Sequence, residues 1–169
     1  EPFYKLESII EKFKLNYGLK NVEENTVEHQ ILKHIEGIII GPSIVALGMS
    51  GMFHKYFIES SFHASEFHEE VECFEKLLDF FVWKNWFVKS NSNYTFTDTG
   101  LFFAKRASAY GVTVSYIPTL RNLDKLIFAD PDSIRALTNS GDESHVDREM
   151  NVWGSGGAHA AYFKQLDEV

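Results

Sequence analysis

The residues best suited to chemistry lie late in the chain, in Asn151-Val152-Trp153-Gly154-Ser155-Gly156-Gly157-Ala158-His159. This run reads as a glycine-rich turn set directly before a helix, in which Ala158, Tyr162, Phe163, Leu166 and Val169 recur at helical spacing. A helix start leaves backbone N–H groups unpaired, and the helix dipole favours negative charge there. Glycines at Gly154, Gly156 and Gly157 would let an anion such as a carboxylate or phosphate come close to those N–H groups. The competing reading is a hinge before a helix. Trp153, Tyr162 and Phe163 could cover a ligand or pack on a neighbouring sheet, and His159 could act as a base or a second metal ligand, or simply open the helix.

Other candidates are weaker. His145, Asp147, Arg148 and Glu149 form a charged cluster, read first as a solvated turn with local ion pairs worth about 0–1 kcal/mol. His29/His34 and His63/His68 are pairs five residues apart, a spacing that does not put two ligands on one helical face. The sequence therefore predicts no metal site. Spacing defines no Ser-His-Asp or Cys-His set, and Cys73 reads as a small buried hydrophobe.

The elements that must position these residues are mostly helices. Residues 3–17 read as a helix with Phe3, Leu6, Ile9, Ile10 and Phe13 on one face, ended by Gly18. A second runs from about Val22 to Ile40 and is broken by Gly41-Pro42, with a third from Ile44 to about Met52. From His68 to Trp86 a stripe of Val71, Phe74, Leu77, Leu78, Phe81 and Val82 predicts a strong amphipathic helix. Phe87-Val88-Lys89 and Tyr94-Thr95-Phe96 flank the turn Ser90-Asn91-Ser92-Asn93 and read as a β-hairpin. Thr97 or Asp98 can cap a helix from Leu101 to about Ala109, closed by Gly111. Another helix is expected from Val114 to Phe128, with Ile117, Leu120, Leu123 and Ile127 on a face, and a short one to Leu137 after Asp130-Pro131-Asp132. This order is that of a mainly α, winged-helix-like domain with one β-hairpin, followed by a linking arm and a C-terminal helix. A boundary is placed at the polar run 138–144, giving a lid or dimerisation domain over 1–137 and a linker with entry helix over 138–169.

Composition narrows the function. The net charge is −8 and no basic block offsets it. Nucleic-acid binding is not expected, because Lys and Arg neutralising phosphates supply most non-specific affinity. The 68–86 helix shows mainly Glu and Asp, and the hairpin offers only Lys89. One cysteine permits no internal disulfide and suits a reducing, cytoplasmic setting. No uninterrupted apolar run approaches the roughly 20 residues of a membrane span. Fifteen Phe residues imply a generous core.

Three stretches carry a resemblance: Leu77-Leu78-Asp79-Phe80-Phe81, then Trp86-Phe87-Val88, then Tyr94-Thr95-Phe96-Thr97-Asp98-Thr99-Gly100. Together they resemble the N-terminal domain of class I S-adenosylmethionine-dependent methyltransferases. The tail from His145 to His159 is similar to the segment that approaches the catalytic sheet in methyltransferases of polyketide assembly lines. The resemblance implies S-adenosylmethionine as cofactor. It implies that Trp153, Gly154, Ser155, Gly156, Gly157, His159 and Tyr162 lie over the cofactor's methionine part. It also implies a catalytic methyltransferase domain as partner, an acyl substrate on a carrier protein, and a homodimer. The glycine-rich loop of the catalytic sheet itself is not found in the chain. Because the tail pattern is still running at Val169, and the chain opens with Glu1 rather than Met, the expectation is a piece of a longer protein. The alternative is a non-enzymatic winged-helix interaction or regulatory module.

Overall fold

The computed structural model describes residues 23–54, 61–135 and 137–167. The helix expected over 3–17 lies outside the described residues. The chain divides into two compact units, Glu1–Lys105 and Arg106–Val169. That division falls earlier than the composition boundary placed after Leu137.

Unit 1 opens with α1, Val27–Met49. Thr26 caps it by accepting the His29 N–H at 3.2 Å. The expected break at Gly41-Pro42 does not occur: α1 runs through Pro42. A proline inside a helix removes one hydrogen bond and costs about 3 kcal/mol. Burial of Leu32, Ile39, Ile44, Val45 and Leu47 on the inner face outweighs that cost. Ser43, itself buried, donates its Oγ to the Ile39 carbonyl at 2.6 Å beside the proline. The real end is at Gly51, whose φ of 84° lets the Met52 N–H reach back to the Leu47 carbonyl at 3.1 Å. Because it continues past Pro42, α1 is long and apolar enough to cross a membrane by length and composition, with a mean hydropathy of 1.5 over an 18-residue window. Its inner face is part of the unit 1 core.

After strand β1, Phe62–His63, comes α2, Val71–Trp83, which buries Phe74, Leu77, Leu78, Phe80 and Phe81 as the stripe predicts. It ends at Asn85, held at φ 61°, with Asn85 N–H on the Val82 carbonyl and Trp86 N–H on the Phe81 carbonyl at 2.8 Å. Trp86 then stacks on Phe81 with ring centres 4.5 Å apart. The hairpin follows as β2, Phe87–Ser90, and β3, Asn93–Phe96, in the register Phe87↔Phe96 and Lys89↔Tyr94. The sequence predicts two strands. The structure adds β1, too short to show alternation, which pairs antiparallel with β3 to give the order β1-β3-β2. Phe62, Phe87 and Tyr94 are buried on one side of this sheet. Helix α3, Asp98–Ala104, closes the unit.

Unit 2 is helical. Helix α4 spans Ala107–Ser115, α5 Ile117–Leu120, α6 Leu123–Phe128, and α7 Arg148–Leu166. Gly111 does not close a helix; it is buried in the middle of α4. The single helix expected from Val114 to Phe128 is broken instead, because Pro118 has no N–H to continue the ladder. Its apolar face is not buried: Ile127 is 67% exposed and Phe128 87%. The expected helix up to Leu137 is a 3-10 turn, Pro131–Arg135.

Candidate functional site

Around the expected ligand-binding turn, the structure differs most from the sequence reading. Gly154, Ser155, Gly156 and Gly157 are not a turn before a helix. They lie inside α7, which starts at Arg148 and is capped by Asp147, whose carboxylate accepts the Met150 N–H at 2.9 Å. In a helix interior each N–H is already given to the carbonyl four residues back. The backbone groups that would hold a carboxylate are therefore spent. The glycines do not fit an anion cradle.

Their use is mechanical. A Cβ on Gly154 would lie 2.7 Å from Val112 N and 2.8 Å from Gly111 Cα, so two backbones touch there. A Cβ on Gly157 would meet Ser108 Cβ at 2.4 Å, and one on Gly111 would meet Gly154 Cα at 2.7 Å. The order Ser108 on Gly157, then Gly111 on Gly154, shows α4 and α7 crossing antiparallel. Each glycine costs about 1 kcal/mol of helix propensity, so this contact explains why they are tolerated. Polar bonds extend the seam. Ser115 is fully buried, its Oγ accepts from Asn151 Nδ2 at 3.0 Å, and its carbonyl accepts the Asp147 N–H at 2.9 Å. Sequence reasoning missed Ser108 and Ser115, and took Gly111 for a helix stop and Asn151 for part of a turn. The small-residue spacing shared by 108/111 and 154/157 is the pattern that marks them.

The remaining predicted residues separate by side. Trp153 borders Gly111, its Cε3 lying 3.1 Å from where a Cβ of Gly111 would be. Ser155 is half-buried, and Gly156 has nothing within 4 Å of its added Cβ. Val152, His159, Phe163 and Leu166 are exposed and share the side of α7 opposite Gly154. His159 and Tyr162 each meet the Phe163 ring edge-on, at 6.1 and 6.4 Å. The structure thus brings His159, Tyr162 and Phe163 together and leaves Trp153 and Gly154 on the packed side. The charged cluster holds local ion pairs: Arg148 Nε donates to Glu143 at 2.6 Å, and His145 Nε2 lies 3.8 Å from the same carboxyl group. Among the described residues no group of His, Cys, Asp or Glu could hold a metal ion.

On the hairpin, the one expected cation is engaged. Lys89 Nζ donates to Asp79 at 2.8 Å, Tyr94 Oη donates to the same oxygen at 3.1 Å, and the ammonium lies 5.0 Å from the Tyr94 ring centre. Burial alone would lower the Lys89 ammonium, but its hydrogen bonds to Asp79 and Tyr94 hold it well above its ordinary value. Burial raises the Tyr94 phenol, and the Asp79 charge adds to that rise. This is a structural ion pair between α2 and the sheet, and it leaves the wing with little positive field for phosphate.

Comparison with known families fits these elements. No curated protein matches the chain closely enough to count as a relative. A model described as the AprA MT2-like domain matches residues 143–169, which contain α7. A model described as the AprA winged helix domain matches residues 36–130, from α1 through α6. The two leave 131–142 between them, the polar stretch in which the sequence reading sets its boundary. The MT2-like match marks the chain as a methyltransferase-associated region, and the winged-helix match spans more than half of it: the chain belongs to the AprA winged helix domain family.

Proposed function

We propose that this chain is the winged-helix lid and entry helix of an S-adenosylmethionine-dependent methyltransferase of polyketide or related natural-product biosynthesis. The observation that supports the reading is the pairing, on one chain, of a winged-helix match with a methyltransferase-like match. In this role unit 1 walls the substrate pocket, suited to an acyl group carried on a carrier protein. The outer side of α7, with Val152, His159, Phe163 and Leu166, seats the catalytic methyltransferase domain; a second copy of the chain would compete for the same apolar side. The cofactor would supply the methyl group from the catalytic domain, since the backbone N–H groups of Gly154–Gly157 lie inside the helix α7.

Titration calorimetry with S-adenosylmethionine tests this on two proteins: this chain, and the same chain joined to a complete methyltransferase domain. The expected result is a one-to-one, low-micromolar complex with the joined protein only. Tight binding to this chain would return the cofactor to α7. Binding to neither would favour the non-enzymatic interaction module.

A further inference from the structure

The methyltransferase-like match opens at residue 143 and its helix is α7, yet what closes on the packed side of α7 comes from the winged-helix match. Gly154 meets the α4 backbone at Gly111 and Val112, Gly157 makes room for the side chain of Ser108, and Asn151 Nδ2 donates to Ser115 Oγ at 3.0 Å. The stretch that leads into α7 is tied down as well. The Asp147 N–H goes to the Ser115 carbonyl at 2.9 Å, Thr119 Oγ1 to the His145 carbonyl at 2.5 Å, and Ser144 Oγ to the Ile134 carbonyl at 3.2 Å. Val146, between two of these anchors, is buried.

Neither helix is well made for standing alone. α7 carries Gly154, Gly156 and Gly157, each about 1 kcal/mol worse than Ala in a helix. α4 has nine residues, fewer than the roughly 12–15 at which a lone helix becomes even marginal in water. Its buried residues are Ala107, Gly111 and Ser115, four apart and so on a single stripe. α7 meets Gly111 and Ser115 directly. The stripe that α4 buries is therefore the one that α7 covers, and glycine on both sides lets the backbones come together.

We propose that α4 is a structural helix of the methyltransferase-like part, although its residues fall inside the winged-helix match. Ser108, Gly111 and Ser115 then form the surface on which α7 docks, and the methyltransferase-like part requires residues from Ala107 onward and not only those from 143. Unit 2, which begins at Arg106, contains both helices. On the function proposed above, α4 backs α7 while the outer side of α7 meets the catalytic domain. The assignment does not rest on that function, because its test reads packing and not methyl transfer.

The test is hydrogen exchange read by mass spectrometry on the full chain and its variants, each first shown to be folded by circular dichroism. Gly154→Ala alters α7 and Gly111→Ala alters α4; each should speed exchange about tenfold or more in both helices. Gly156→Ala, with nothing within 4 Å of its added Cβ, should speed it in neither. Asn151→Ala removes the bond to Ser115 without adding bulk, and it decides the matter if the glycine variants do not fold. It should speed exchange about threefold at the end of α4 as well as at the start of α7. Exchange that stays unchanged in the partner helix overturns the assignment. Loosening of both helices by Gly156→Ala overturns it too.

Discussion

Replacing Gly154 with Ala places a methyl group where α4 already has its main chain. The new carbon would sit 2.7 Å from Val112 N, about 0.7 Å inside the 3.4 Å at which ordinary contact begins. Both sides of the contact are backbone, so α4 and α7 must part along the seam, which also strains the Asn151–Ser115 bond. Overpacking costs about 1–3 kcal/mol, here toward the upper end, and Gly-to-Ala in a helix returns about 1, leaving Gly154→Ala destabilised by about 2 kcal/mol. Gly156 is two residues away in the same helix with nothing within 4 Å of its added Cβ. Gly156→Ala should therefore gain the propensity alone, about 1 kcal/mol. The two variants share chemistry, helix and length, and differ only in what they face. The predicted gap of about 3 kcal/mol is roughly a hundredfold in the unfolding equilibrium. Urea unfolding followed by circular dichroism at both sites measures it. If the two variants unfold together, the α4–α7 contact is not what holds glycine at 154.

Further outcomes follow from the same packing. At Gly100 an added Cβ would lie 2.1 Å from the Trp86 carbonyl oxygen, so Gly100→Ala should lose about 3 kcal/mol or more in the same unfolding assay. Thr97 caps α3 through the Gly100 N–H and donates to the Asn85 carbonyl at 2.6 Å; Thr97→Val should cost about 1–2 kcal/mol, read as a shifted urea midpoint. Both Lys89 and Tyr94 are held protonated more firmly in the folded than in the unfolded chain. Their contribution is then full below about pH 10 and is lost as pH rises through the folded values, so stability should fall on the alkaline side, and less steeply in Tyr94→Phe. Random duplex DNA at moderate salt should produce no mobility shift, because the wing's lysine is paired with Asp79; a salt-dependent micromolar shift would refute this.

The helix–hairpin–helix centre was legible because its signals are local. The 68–86 stripe, the Asn/Ser turn and the Thr97 cap each act over a few residues; α2, β2 and β3 appear where they point, and α3 starts at its Thr97 cap but ends at Ala104, short of the expected Ala109. What was not legible depends on contacts distant in sequence. Pro42 sits in a continuous helix because buried neighbours outweigh its local cost. Gly111, Gly154 and Gly157 have the look of stops and starts in a propensity reading, and only the α4–α7 crossing explains them as interior residues. The candidate site fared accordingly. The aromatic group His159–Tyr162–Phe163 comes together, while the anion-binding turn was an inference from glycine content that the helix itself removes.

The antiparallel crossing also decides where the chain tolerates a change of length. Ser108 faces Gly157, Gly111 faces Gly154 and Ser115 meets Asn151, so the seam depends on fixed spacing along both helices. One residue inserted between Asn151 and Gly157 turns the rest of α7 by about 100° and sets larger side chains against the α4 backbone. The exposed turn at Asn139-Ser140-Gly141 lies between anchored ends, and doubling a loop's length costs only about 0.6 kcal/mol in closure entropy. A reporter peptide or a small folded domain belongs there, with the helices on either side keeping their count.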